Sequence, residues 1–365
     1  MEKSTLKLTN KIQILIDLPA KVEKKEAMDK LYQYQDLCSK AANLIVSHLY
    51  VQEMIKDFFY LSEGITYKLG DEKKHECGIL KCSRTNTTYQ VASNRFKGEI
   101  PSTILSCLST SIIATFNKNR SKYWKGQRSL ENFKKDMAFP FQSTTLSKLS
   151  YDPDKKAFCF RLFSIPFKTY LGKGAIEKGK ILERLVDGDI KLCTSKIQLK
   201  GKKIFLLAVL EIEKEKHSLK PEKIAEASLS LDHPIVVKIN NAKLSIGSKE
   251  EFLLRRMEMQ AAYKRTQEGA AYCKSGKGRK RKLKSLEKSR ETESNYVAHH
   301  LHLYSRKLID FCVKNQAGTL MLVNQEDKMG IAKEEEFVLR NWSYYGLITK
   351  IMYKAEKAGI ELIIA

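Results

Sequence analysis

Acidic residues are scarce in this sequence. Its 365 residues hold 42 Asp and Glu against 66 Lys and Arg, a formal net charge of +24. Such a surplus favours a polyanionic partner, because every phosphate neutralised releases a counterion. A solvated lysine-rich surface is the plainer alternative. Long apolar runs are missing too. The most apolar stretch, 41–61, is interrupted at helical spacing by His48, Gln52, Glu53, Lys56 and Asp57, so it reads as an amphipathic helix and not a bilayer span. No secretory leader is visible, and the expectation is a cytoplasmic protein with no membrane association. Paired cysteines are the third absence. The eight present, at 38, 77, 82, 107, 159, 193, 273 and 312, form no CxxC motif, and a cytoplasmic chain of this length does not need disulfides. His75, Cys77 and Cys82 are the tightest group, in HECGILKC. Three soft ligands lie close together there, but a fourth ligand and the usual zinc spacing are lacking. Ordinary thiols are the default reading, and zinc binding stays open.

Two to three domains fit a chain of this length. Residues 5–16 alternate apolar and polar and read as a strand, closed by Pro19. A helix is expected over about 24–61, with Leu31, Leu37, Ala41, Leu44, Ile45 and Leu49 on one face. Residues 63–88 read as a loop or connection. Helix resumes near Val91, breaks at Pro101 and continues to about Gly126, with Ile104, Leu105, Leu108, Ile112, Ile113 and Phe116 as its apolar face. Strands return over 137–215, in KAFCFRLFSIPF, DIKLCTSKIQLK and KKIFLLAVLEIE, with turns at Asp187–Gly188 and Gly201. With the first strand they can close a small barrel that the helices interrupt, an order that suits one composite domain.

Pro221 opens a second unit. A hairpin turns at Asn240–Asn241, and a helix follows it. Next comes a Gly-punctuated basic loop, a long helix over about 287–314, the strand TLMLV, a helix over about 338–358 and the strand IELII. Two clusters are candidates for phosphate contact. Lys118, Arg120, Lys122, Tyr123, Trp124, Lys125 and Arg128 interleave cations with aromatics, as contact to a nucleic-acid backbone and bases requires. Packing of Tyr123 and Trp124 in a helix–helix core fits equally well. Lys274, Lys277, Arg279, Lys280, Arg281, Lys282 and Lys284 crowd the loop, where like charges repel until an anion orders them.

Strand hairpin, helix, strand, helix, strand is the order of an RNase H-like core. Nucleases of that fold hold two divalent metals between carboxylates on the first and fourth strands. Here the first strand reads Leu229-Ser230-Leu231-Asp232 and the fourth Leu320-Met321-Leu322-Val323-Asn324. Valine brings no oxygen and serine no charge. Asp232, two residues on, shares the face of Ser230, and Glu326 and Asp327 follow Val323. A register slip onto them is the alternative.

GTLMLVNQEDKMG and FVLRNWSYYGLITKIMYKAEKAGIELI resemble the RuvC domain of the miniature type V-F CRISPR effectors and of their TnpB relatives. Gly318, Thr319, Asn341, Trp342, Tyr344, Tyr345, Tyr353, Lys354, Ala355, Glu356, Ala358, Gly359 and Ile360 carry the match. The family glutamate falls on Val323 and the family aspartate on Ser230. The family continues with a zinc segment and a third aspartate, both absent before Ala365, which makes the expectation a C-terminally truncated, nuclease-dead member. The resemblance implies an α+β multidomain fold. A β-barrel (OB-like) wedge domain at 1–20 and 137–220 would be interrupted by a helical recognition lobe at 21–136. A degenerate RNase H-like (RuvC) α/β domain would follow at 221–365. It implies guide RNA and target double-stranded DNA as partners, no cofactor and no catalytic magnesium. It also implies transcription regulation through an extracytoplasmic-function sigma factor and RNA polymerase. Promoter occlusion, and an active RNA-guided DNA endonuclease, are the alternatives. Relatives act as homodimers, and the Ile104, Leu108, Ile112 and Phe116 face offers either a dimer contact or intramolecular packing.

Overall fold

The computed structural model describes residues 5–63, 83–172, 176–229, 233–248, 250–273, 275–323 and 344–364. Two compact units make up the chain, 7–212 and 213–365 with 1–6. Elements are numbered in chain order.

The first unit begins with β1 (Thr5–Ile16), followed by three helices, α1 (Lys21–Glu63), α2 (Arg84–Arg95) and α3 (Ser102–Trp124). β2 (Phe139–Phe141), β3 (Ser147–Asp152), β4 (Ala157–Leu162) and β5 (Ile165–Tyr170) come next. Then follow α4 (Ile176–Val186), β6 (Lys191–Leu192), β7 (Ser195–Lys200) and β8 (Lys203–Glu213). The strands form one sheet in the order β2-β7-β8-β1-β5-β4-β3, with β6 on β8. Chain length requires this sheet to curve. Laid flat, it would hold β2 and β3 roughly 29 Å apart, at about 4.8 Å per step. The link from Phe141 to Ser147 spans at most about 22 Å fully extended. The two end strands are thus drawn towards each other, as in a barrel.

One hydrophobic cluster joins sheet and helices. Ile12, Ile14, Phe139, Phe141 and Phe167 from the strands meet Leu31, Ile45, Leu49 and Ile104 from α1 and α3, all under 3 % exposed. Each such side chain contributes about 1.5–3 kcal/mol by leaving water. Ile104, Leu108, Ile112 and Phe116 are buried in this same cluster. That face is consumed by intramolecular packing, which removes it as a dimer contact. Asn43 ties the 126–138 segment to α1: its side-chain amide donates to Phe133 O, and its Oδ1 accepts from Phe133 N, both at 2.9 Å.

Three sequence expectations change in this unit. The helix expected from Val91 starts at Arg84, capped by Ser83, whose Oγ accepts from Asn86 N at 3.3 Å. α4 was not foreseen; it is amphipathic, burying Leu182 and half-burying Ile181 and Leu185 against the core. The β-rich run KAFCFRLFSIPF, for which no internal turn was expected, forms the hairpin β4–β5, turning at Phe163 (φ 54°) and Ser164 (φ 65°). Two consecutive positive φ values suit a tight hairpin but normally call for Asn or Gly. The Phe163 ring is 5.7–6.3 Å from those of Tyr34, Phe139 and Phe141, and this packing offsets the backbone strain.

The second unit is built on β9 (Lys220–Ser228), β10 (Ile235–Ile239), β11 (Ala242–Ile246), β12 (Ala317–Leu322) and β13 (Glu361–Ile364), in the order β11-β10-β9-β12-β13. β9, β10 and β11 are antiparallel neighbours; β12 is parallel to β9 and β13 to β12. This is the RNase H-like arrangement. Asn240 takes the left-handed φ of 49° in the β10–β11 turn, which asparagine tolerates. After β11 come a π-turn (Glu250–Leu254), α5 (Arg255–Ala271) and α6 (Gly276–Lys314), and α7 (Tyr344–Ala358) precedes β13. Leu308, Cys312, Leu320, Leu322, Ile351 and Ala355 lie fully buried between helices and sheet. Small Ala225 and Ala227 on β9, both 0 % exposed, let the helices approach.

The basic loop expected at 274–284 is helical from Gly276 onward, so α6 starts eleven residues before the expected 287. Lys and Arg are good helix formers, and one interior glycine, Gly278, costs only about 1 kcal/mol. α6 folds back on α5: Lys282 Nζ donates to Gly269 O, the Arg290 guanidinium lies 5.3 Å over the Tyr263 ring, and Arg256 Nε bonds Glu293 at 2.8 Å. No residue of α5 is buried, so these polar contacts hold the pair together. None of the described helices is long and apolar enough to cross a membrane. Cys38, Cys107, Cys159, Cys193, Cys273 and Cys312 are free thiols; His75, Cys77 and Cys82 lie outside the described residues.

Candidate nucleic-acid interface

The last two turns of α3 separate residues that sequence alone could not. Tyr123 is buried, its ring 5.4 Å from Phe116. Trp124 is 50 % exposed. One aromatic therefore belongs to the core and the other faces solvent. Lys118, Lys122, Lys125 and Arg128 are also exposed. Arg128 is engaged, bonding Asn119 Oδ1 at 3.3 Å and Glu131 at 3.1 Å. Arg120 is half-buried and pairs with Glu53 Oε2 at 2.7 Å. The other Glu53 oxygen takes the guanidinium of Arg84, and both of those side chains are below 10 % exposed. Burial, and then the charge of Arg120, hold Arg84 down to about 10, below the ordinary arginine value. In the sequence Glu53 reads only as a polar break in the α1 pattern, and nothing singles out Arg84. The ion cluster is formed by residues far apart in the chain, so no local spacing signals it. Beside it, a cleft of about 410 Å³ opens between α1 and α3, walled by Tyr50, Glu53, Phe116, Arg120 and Trp124.

In the second unit Lys277, Arg279, Lys280, Arg281 and Lys284 are exposed on the first turns of α6, and Lys282 is half-buried; Lys274 lies outside the described residues. No acidic residue sits in that first turn. Cations at a helix start oppose the helix dipole, which favours anions there. The helix thus gathers positive charge where it is least stable, and an added phosphate relieves it. Changing Lys277, Arg279, Lys280 and Arg281 together to glutamine is expected to lower the slope of log affinity against log salt by up to about 3–4, at roughly 0.9 per phosphate contact. Filter binding of RNA and DNA across a salt series measures it; an unchanged slope removes this helix from the interface.

The carboxyl ends of β9 and β12 lie side by side. Val323 directly follows β12, and its N–H donates to Ala227 O at 3.0 Å. A carboxylate at this place would face the shared end of two parallel strands. Valine offers no oxygen there, so the residue does not fit a two-metal centre. Ser230 and Asp232 lie outside the described residues, as do Asn341 and Trp342. Tyr353 and Lys354, which carried part of the resemblance, bind helix to helix. Tyr353 Oη meets His302 Nδ1 at 3.3 Å, and Lys354 Nζ donates to Ser305 Oγ at 2.8 Å. Burial, followed by the charges of Arg306 and Lys350, pushes the Lys354 ammonium down to about 8.

No protein-family model matches the chain. A CRISPR-associated endodeoxyribonuclease Cas12f1 from Sulfoacidibacillus thermotolerans is 25% identical over 266 residues, covering 68% of this chain and 62% of the relative. A second Cas12f1, from Syntrophomonas palmitatica, is 24% identical over 294 residues, covering 73% and 57%. The chain is homologous to Cas12f1. It spans less than two thirds of the length of these curated relatives. The cryo-EM structure of a Cas12f1–sgRNA–target DNA complex contains a chain that superposes with a TM-score of 0.70 at 17% identity, over 99% of this chain and 89% of that one. The chain therefore shares the fold of that Cas12f1 chain.

Proposed function

We propose that this Cas12f1 homologue is an RNA-guided DNA-binding protein without nuclease activity. It would hold a guide RNA, recognise target double-stranded DNA beside a short duplex motif and regulate transcription. The single observation that carries the inactive reading is Val323. It stands at the end of β12, against β9, where the resemblance places a metal-binding glutamate. Serine at 230, where the resemblance places the aspartate, points the same way. The net charge of +24 and the exposed basic turns of α3 and α6 support the nucleic-acid partners. In this reading the strands of the first unit serve as the wedge and its helices as the recognition lobe. Pairing with the guide reads the target sequence, and the protein grips backbone.

An output of occupancy has two uses. Recruitment of an extracytoplasmic-function sigma factor with RNA polymerase is the one the resemblance to nuclease-dead type V-F effectors favours; promoter occlusion is the other. The curated relatives are named endodeoxyribonucleases, which favours a rival: cleavage through a rearranged centre at Asp232.

Two assays test this. With guide RNA and magnesium, the protein is expected to leave a matched plasmid supercoiled while retarding it on a gel. With its sigma factor co-expressed, guided binding upstream of a reporter promoter is expected to raise output. A fall in output selects occlusion. Linear plasmid, lost on Asp232→Ala, overturns the inactive reading.

A further inference from the structure

We propose that the cleft between α1 and α3 seats one unpaired nucleotide of a single-stranded nucleic acid, its base against Trp124 and its phosphate on Arg120. The inference rests on the reading of this chain as a nucleic-acid binder and specifies what one of its surfaces takes.

The first argument is charge. Glu53 is one carboxylate shared by two guanidiniums, Arg84 and Arg120. Arg84 is enclosed, but the Arg120 side chain is 41% exposed. A guanidinium has five N–H donors in a fixed fork, so its bond to Glu53 leaves donors for a phosphate. That bond also fixes the fork in place, which lowers the entropy lost when an anion docks.

The second argument is the indole. Phe116 and Tyr123, on the same helix, are under 10 % exposed, while Trp124 keeps half its surface in water. Arg120, four residues before it and so on the same face of the helix, walls the cleft with it. An aromatic face among cations is how single strands are gripped, since every base offers a π-face. The third argument is size. A cleft of about 410 Å³ lies within the small-ligand range, roughly 300–1,000 Å³. That admits one nucleotide but not a duplex. In a duplex the base faces are stacked on one another, so only a splayed base reaches the indole.

The test uses the full chain and three fluorescein-labelled probes of equal length: single-stranded RNA, single-stranded DNA and duplex DNA. Anisotropy titrations should show Trp124→Ala weakening at least one single-stranded probe by about tenfold or more, with duplex affinity within about twofold of the parent, which also reports intact folding. Trp124→Phe should restore most of the loss. Arg120→Gln should lower the salt slope for the same probe by about one. Which single strand responds identifies its source as RNA or DNA. Equal losses on single strand and duplex, or no loss on either single strand, overturn the cleft assignment while leaving nucleic-acid binding in place. If the parent protein binds none of the three probes, both readings fall together.

Discussion

Glu53→Ala is expected to lower the stability of the 7–212 unit by about 3–5 kcal/mol, the range for breaking a buried ion pair from one side. The carboxylate lies between two guanidiniums, and its side chain and that of Arg84 are 8% and 7% exposed. Removing it leaves two enclosed or half-enclosed cations facing each other without their counter-charge. Burial and the charge of Arg120 already hold Arg84 below its ordinary value, and losing the carboxylate removes the attraction that offsets them. Arg84 Nε has Gln52 Oε1 within reach at 3.5 Å, a marginal contact. Glu53→Gln keeps the shape and one acceptor and should cost less than the alanine. Changing Arg84 to methionine alongside Glu53→Ala should recover much of the loss, because an apolar pair has no charge to desolvate. Urea denaturation of the single and double variants gives the coupling energy. A loss below about 1 kcal/mol for Glu53→Ala, the level of an exposed surface pair, would show that water reaches the cluster.

That cluster marks the limit of what the sequence made legible. Periodicity placed α1 correctly, because Leu31, Ala41, Ile45 and Leu49 recur at helical spacing and all four are buried. Strand alternation placed β1 for the same reason, while β8 and β12 were legible as β-rich apolar runs. A buried ion triad has no period. Glu53 looked like a polar interruption, and it is buried because residues 31 and 67 positions away supply its partners. The β4–β5 turn was hidden for a related reason: Phe163 and Ser164 are not turn residues, and rings from α1 and β2 hold them there. The charge of the 274–284 segment is plain in the sequence, but helix propensity and the backing of α5 outweigh its self-repulsion.

The candidate centre was legible in a different way. Val323 and Ser230 could be flagged only by knowing what residue type a nuclease needs at two strand ends. The structure brings Val323 to the end of β12 beside β9. The aromatic pair at 123–124 was undecidable in sequence because either residue suits either role. The helix rotates one ring into the core and the next out of it, 100° being the turn per residue of an α-helix at 3.6 residues per turn.

Gly318→Ala is expected to destabilise the second unit by about 3 kcal/mol, the upper end of the usual overpacking range. A methyl at this position would lie 2.8 Å from the carbonyl carbon and oxygen of Lys220 and from Pro221 Cα. All three are backbone atoms of β9, so no rotamer change can clear the contact. The β12–β9 register shifts between Ala317 and Thr319, where the strands close on each other. Lys220 N donates to Gln316 O at 2.9 Å and Thr319 Oγ1 to Pro221 O at 3.2 Å, pinning both sides of the contact. Separating the strands to admit the methyl would stretch those bonds and disturb Ala317, Leu320 and Leu322, all 0 % exposed. Gly318 and Thr319 thus owe their place in the resemblance to strand packing and not to chemistry. Gly278 supplies the control. It lies in helical α6 with nothing within 4 Å of an added Cβ, so the same substitution there should stabilise the helix by up to about 1 kcal/mol. Calorimetry of the two variants should therefore show shifts of opposite sign. If Gly318→Ala matched or exceeded the parent, the close approach of β9 and β12 would not exist in solution.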